Sequence, residues 1–287
     1  MGSNRRFGVL AVVTVLIMGA CSPGASSGPS GGGAAASGGG TLARIKSTGK
    51  LTVGLSSGAP IGFVDASGTP MGVTVDICNE FIKREGIETL EVFHMPFSSE
   101  IPALLSNRID LACDTFYRTE ERKQVVDFSD VLFFNVETII VKKGNPKNIH
   151  KLEDLAGNSG GSYEGTVWID WLNDLNSKSN LNVTVKSYPS PTELYADVSA
   201  GRADAGIIDA VLAGYALKQN PELDFEIVTD YVPRDKAGNA VAMPIRKGDT
   251  DLRDALNKTI AEMKSDGTME KVFQEWGLVP TSLYLNP

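Results

Sequence analysis

The stretch IDLACDTFYRTEERKQVVDFSD, residues 109–130, decides how the rest of the chain is read. It opens with apolar residues at alternate positions, Ile109, Leu111 and Cys113, the period of a strand. It then turns polar and sets aromatics beside charges: Asp114, Phe116, Tyr117, Arg118 and Arg122. In an α/β fold such a loop is a usual seat for a ligand, because the C-terminal ends of buried strands open into a crevice. Arg122 is the leading candidate. Its guanidinium stays charged, and its planar fork matches a carboxylate with two hydrogen bonds. The plainer alternative is a solvated ion pair with Glu120 or Glu121, which would do nothing specific.

On both sides of this stretch, strand and helix patterns alternate. Residues 51–55, 90–93 and 109–113 read as strands, and 75–84 and 100–105 as helices; Val75, Cys78, Phe81 and Ile82 share one helix face. A second set follows. Strands are expected at 137–142, 183–186 and 205–208, with a Gly-rich strand or loop at 158–163. Helices are expected at 152–155, 168–175, 191–200 and 211–218. Residues 240–245 are apolar, 251–265 form a long amphipathic helix and 269–276 another. Alternation of this kind argues for mostly parallel sheets, and its repetition fits two similar α/β halves.

Bulk properties exclude several classes. The chain of 287 residues suits one large domain or two small ones, and its net charge of −8 lacks the basic footprint of a nucleic-acid binder. Three cysteines and two histidines give no metal-ligand spacing and no disulfide framework. Cys78 and Cys113 lie on apolar faces and read as buried free thiols, although an exported chain permits a bond between them. No phosphate loop, dinucleotide fingerprint or other cofactor motif is present. GLSSG at 54–58 formally matches a nucleophile elbow. An elbow needs a helix at once, and Ala59-Pro60 argues against one.

The N-terminus reads as a targeting segment. Arg5-Arg6 precedes an apolar run, 7–18, too short for a comfortable membrane span. The run ends in MGAC, 18–21, which resembles a bacterial lipobox. That resemblance implies a signal peptide over 1–21 and a lipoprotein with a diacylglycerol, and palmitate, at Cys21. Residues 22–41 are almost wholly Gly, Ser, Ala and Pro, too poor in apolar surface to order themselves. They form a tether with an average reach of roughly 25 Å.

Motifs across the chain carry a wider resemblance. GVTVDI (72–77), LSNRID (105–110), TEER (119–122), VDFS (126–129) and GRADA (201–205, leading to Asp209) occur in order between about Leu51 and Leu278. Together they resemble the family 3 extracellular solute-binding proteins, the polar amino-acid receptors of ABC importers. The resemblance implies a two-lobed periplasmic-binding-protein type II fold, each lobe a mostly parallel sheet with flanking helices. Lobe 1 would be discontinuous, 42–134 and 241–287, and lobe 2 would be 135–240. A two-strand hinge would cross near 132–138 and 236–242. A membrane permease is the implied partner. A lipid-anchored monomer in the periplasm or on the outer face of the cell membrane is the expected state.

Site residues carry over one by one. Arg122 falls where the family clamps a ligand α-carboxylate, and Asp209 where it pairs the α-ammonium. An acid at the C-terminal end of strand 205–208 is independently well placed for a cation, although it could simply cap the next helix. Thr166 and Val167 open a helix whose amides favour an anion; plain N-capping by Thr166 is the alternative. Thr115 and Tyr117 align with small hydroxyl or backbone contacts, and a Tyr at this point is similar to the ectoine-type branch. Phe97 falls where an apolar side chain touches the ligand's side chain, and Phe63, after Ala59-Pro60, lies near the position of the family's stacking aromatic, unless either only packs the core. Two departures bear on ligand identity. Ser56-Ser-Gly58 stands where an acid or aromatic is usual, which weakens a place in the Lys/Arg/His subset and also removes an acid expected in an ectoine site. Asp114 stands where a small residue is usual, and beside Phe97 and Tyr117 it would favour a cationic group, unless it turns away to cap its own loop. Some relatives of the fold are dehydratases, so a lyase is one rival reading. A sensing module is another, disfavoured because no signalling domain is legible.

Overall fold

The computed structural model describes residues 40–234 and 239–278. The signal segment, Cys21 and nearly all of the tether lie outside the described residues, as does part of the second hinge crossing. Thr41, the last residue assigned to the tether, opens a helix, Thr41–Thr48.

Two five-stranded sheets form the halves of the fold. In the first, Lys50–Leu55 runs parallel to Thr89–His94 on one side and to Leu111–Ala112 on the other. Pro244–Arg246 then pairs antiparallel with both Leu111–Ala112 and Val126–Phe128. The second sheet repeats the plan. Ser159–Tyr163 is parallel to Thr184–Tyr188 and Ala205–Asp209, and Glu137–Lys142 is antiparallel to Ala205–Asp209 and Phe225–Ile227. The parallel part of each sheet is therefore three strands, and the returning chain adds the antiparallel edge. A third sheet is small: Asn239–Ala242 pairs antiparallel with Phe116–Tyr117 and Phe133–Asn135.

The helices bury apolar stripes against these sheets. Val73–Glu85 places Val73, Ile77, Cys78 and Phe81 in the core. It starts at Gly72, whose φ of 120° suits glycine, and a Cβ there would lie 2.6 Å from the Ile61 carbonyl oxygen. Cys78 on this helix is bonded to Cys113 at the end of the third strand. Of the two states the sequence leaves open, free thiols or a bond, the structure contains a disulfide between two fully buried positions. The long helix Thr250–Ser265 returns to the first half, where Arg84 bonds both Glu262 and Asp266.

No helix follows GLSSG, and the next one begins at Val73. The elbow geometry is absent here. Among the described residues no helix is long and apolar enough to cross a membrane, and no His, Cys, Asp and Glu cluster could hold a metal.

Candidate ligand site

The strand ends of both halves converge on one pocket. Its walls are Phe97, Thr115, Tyr117, Arg122, Tyr163, Thr166, Val167, Trp168 and Asp209. Tyr163 also borders a second cavity, lined by Ser56, Ser57, Asp114 and Asp209 among others, and a larger one toward His94 and Glu193.

Arg122 is positioned by a local device. Thr119 caps the helix Glu120–Val125 and accepts the Arg122 amide at 3.2 Å. The side chain then turns inward. Its guanidinium donates to the Tyr117 carbonyl at 2.9 Å and to the Gly165 carbonyl at 2.8 Å, and lies 5.0 Å from the Phe116 ring centre. Glu120 pairs instead with Lys123. The surface-pair alternative is therefore not what the structure contains: among the described residues no carboxylate lies within ion-pairing distance of Arg122. Burial pulls its pKa below the usual arginine range, the mark of a cation lacking a full counter-charge.

Asp209 ends the strand Ala205–Asp209 and occupies the N-cap position of Ala210–Gln219, but its side chain caps nothing. Instead it accepts from three donors. The Tyr163 hydroxyl donates at 3.2 Å, the Tyr117 hydroxyl at 3.4 Å, and the Asn135 amide donates as well. Burial dominates and pushes its pKa up to about 7. A cation entering the cavity would reverse that push.

Thr166 also fails to cap its helix, Val167–Ser179. Its hydroxyl donates back to the Tyr163 carbonyl at 2.8 Å, so an anion here is left with the amides at the helix start, which have no intrahelical acceptor. Asp114 accepts from the Ser56 hydroxyl and from the Thr115 amide. It holds its own loop and still lines the second cavity. Phe97 stacks on Phe116, ring centres 4.1 Å apart, and meets Tyr163 edge-on at 5.6 Å. Phe63 is not brought to the site: it packs edge-on against Trp276 and lines none of these three cavities.

Four participants escaped the sequence reading. Tyr163 and Asn135 both bond Asp209. Trp168 faces Tyr117 and Tyr163 edge-on at 5.9 Å each, and its buried indole N–H has no partner. His94 lies 2.6 Å from the Ser57 hydroxyl. Only Trp168 carried a signal, as a bulky aromatic directly after the helix start.

Known proteins resemble this chain in sequence and in fold. The family model described as bacterial extracellular solute-binding proteins, family 3, matches residues 51–279. The L-cystine-binding protein TcyJ of Escherichia coli K12 is 30% identical over 83% of this chain and 86% of its own. The lysine/arginine/ornithine-binding periplasmic protein of the same strain is 31% identical over 76% and 83%. The amino acid ABC transporter substrate-binding protein AbpA of Streptococcus pneumoniae, solved bound to L-arginine, superposes with a TM-score of 0.74 at 28% identity, covering 82% of this chain and 97% of that one. These are binding proteins, and the enzyme readings fall away.

Proposed function

This chain belongs to the bacterial extracellular solute-binding proteins, family 3, and from that premise we propose that it is the receptor of an ABC importer for an amino acid or related small zwitterion. One observation carries the reading. Arg122 and Asp209 reach a single cavity from different halves of the fold, and neither has an ionic partner among the described residues. An α-carboxylate on Arg122 and an α-ammonium on Asp209 would satisfy both. Pairing makes the desolvation of all four charges tolerable. The amides at the start of Val167–Ser179 add to the anion side, Thr115 and Tyr117 line the wall, and Phe97 supports the ligand's apolar part.

The lobes would be 42–134 with 241–287, and 135–240. Phe133–Asn135 and Asn239–Ala242, paired antiparallel, would form the hinge. A ligand that touches both lobes favours the closed form by differential affinity, and a permease reads the closed surface. The sequence MGAC at 18–21 supports a lipid anchor at Cys21 that holds a monomeric receptor at the outer face of the cell membrane.

The test is a thermal-shift screen of the soluble chain, refolded to remove carried ligand. Cationic, neutral and acidic amino acids, ectoines and opines form the panel, with Arg122→Ala as control. A ligand at 100 times its dissociation constant adds about 2.7 kcal/mol of stability. A shift with one class, lost in the variant, is expected. No shift with any compound of the panel, or a shift that the variant keeps, overturns the reading.

A further inference from the structure

Glu100 has no place in the binding scheme so far, yet it is the least comfortable acid in the described protein. It sits on the helix Phe97–Leu105, completely buried, and no donor reaches either of its carboxyl oxygens. Its stem packs over Gly54 of the central strand, where a Cβ would lie 3.5 Å from the Glu100 Cγ. The polar group it meets is the carboxyl of Asp114. Two facing carboxylates without a donor cannot bond each other. The contact becomes a hydrogen bond only if one holds a proton.

Asp114 has what Glu100 lacks. The Ser56 hydroxyl and the Thr115 amide both donate to it, and it borders the second cavity together with Asp209. The proton therefore belongs on Glu100 and the negative charge on Asp114. The lining of the two inner cavities then holds one cation, Arg122, against two acids, Asp114 and Asp209. A zwitterionic head balances Arg122 and Asp209 and leaves Asp114 over.

We propose that Glu100 and Asp114 share one proton, and that this singly charged pair selects amino acids whose side chain ends in a cation, with Glu100 as the positioning residue that keeps Asp114 ionised. The proposal rests on the amino-acid-receptor reading. Burial pushes Glu100 well above the usual carboxylate range, and its bond to Asp114 works against the upward push of burial on Asp114. The other titratable groups facing Asp114 are Asp209 and Tyr163, and His94 lies beyond Ser57. Asp209 acts on the ligand head and so affects all amino acids alike. A ratio of two ligands with the same head cancels it.

The experiment is calorimetric titration with L-arginine and its neutral isostere L-citrulline from pH 5 to 9. The wild type, Asp114→Asn, Glu100→Gln and Glu100→Leu are compared. At pH 8 the wild type should bind arginine at least about tenfold more tightly than citrulline, the scale of one charge-assisted bond. The ratio should collapse toward one as Asp114 gains its proton at low pH, and at every pH in Asp114→Asn. Glu100→Gln keeps a donor and should keep the profile. Glu100→Leu removes the donor and should move the midpoint to higher pH, a change that a packing role would not produce. Equal affinities in the wild type, or an unmoved midpoint in a folded Glu100→Leu, overturn the proposal. If that variant does not fold, the Asp114→Asn ratio decides. Neutral amino acids bound through Arg122 while arginine is not would sink this inference and leave the receptor intact; no amino acid bound at all would sink both.

Discussion

Arg122 donates to two carbonyls, one from each half of the fold, and both bonds leave its charge unanswered. A bound carboxylate would answer it, so Arg122→Ala should weaken amino-acid binding by ~2–5 kcal/mol, because the ligand charge is then buried without a partner. Isothermal titration checks this, and a loss smaller than threefold would remove Arg122 from the site. Asp209 makes the second prediction through pH. Its carboxyl titrates near 7 when folded, against an ordinary value of 3.8. Between those values the folded chain holds a proton that the unfolded chain has released. Ligand-free stability should therefore fall as pH rises from about 4 to 7, and level off beyond. At about 1.4 kcal/mol per pH unit the upper limit is about 4 kcal/mol. Asp209→Asn should flatten that slope in urea titrations across the window. An ammonium reverses the push, so amino-acid binding near pH 6 should release a proton into the buffer, and the variant should not. Asp209 was legible because it ends an apolar strand. Tyr163 and Asn135, which hold it, come from distant segments, and nothing local marks either one. Glu100 read as an ordinary helix acid, since burial depends on the packed sheet and not on its neighbours in sequence.

At the scale of elements, long periodic segments read well and short ones did not. The helix at 73–85 and the strand at 137–142 follow their hydrophobic period within two residues at each end. The apolar run 240–245 instead divides at Met243, half joining the small sheet and half the first large one. The partners Phe116–Tyr117 and Phe133–Asn135 are too short to show any period. Phe133–Asn135 and Asn239–Ala242 lie where the chain passes between the two large sheets, which is why these crossings came from resemblance and not from pattern. One connection is critical to closure. Gly165 precedes the helix Val167–Ser179 with a φ of 83°, and a Cβ on it would lie 2.9 Å from the Ser98 Cα on the opposite side of the cleft. Backbone cannot yield there as a flexible side chain would. Gly165→Ala should therefore lower ligand affinity at least about tenfold by obstructing the closed form, since steric overlap of this kind typically costs ~1–3 kcal/mol. Calorimetry reads the affinity. Small-angle scattering should show the saturated variant more expanded than the saturated wild type, and equal radii with equal affinities would contradict the account.

For the whole molecule, two demands must be met together: the binding half must move freely and must stay close to its permease. Closure needs no chemistry, only a ligand that contacts both lobes. Residence at the membrane needs an anchor that does not restrain the lobes, and the chain supplies a candidate in MGAC at 18–21 followed by a segment of Gly, Ser, Ala and Pro. A single lipidated cysteine with a diacylglycerol buries enough methylene for stable attachment, at about 0.8 kcal/mol per CH₂. By composition alone, a segment of this kind would leave the folded part free within roughly 25 Å of the surface. The two functions are then separable. Cys21→Ser should release the protein from membrane fractions and remove the lipid mass, while a thermal shift with the same ligand stays unchanged. Uptake by intact cells should fall because the local concentration at the permease is lost. Retention of Cys21→Ser in the membrane fraction at wild-type mass would refute the anchor. A loss of ligand binding in that variant would mean instead that the N-terminal segment contributes to the folded receptor, which its composition argues against.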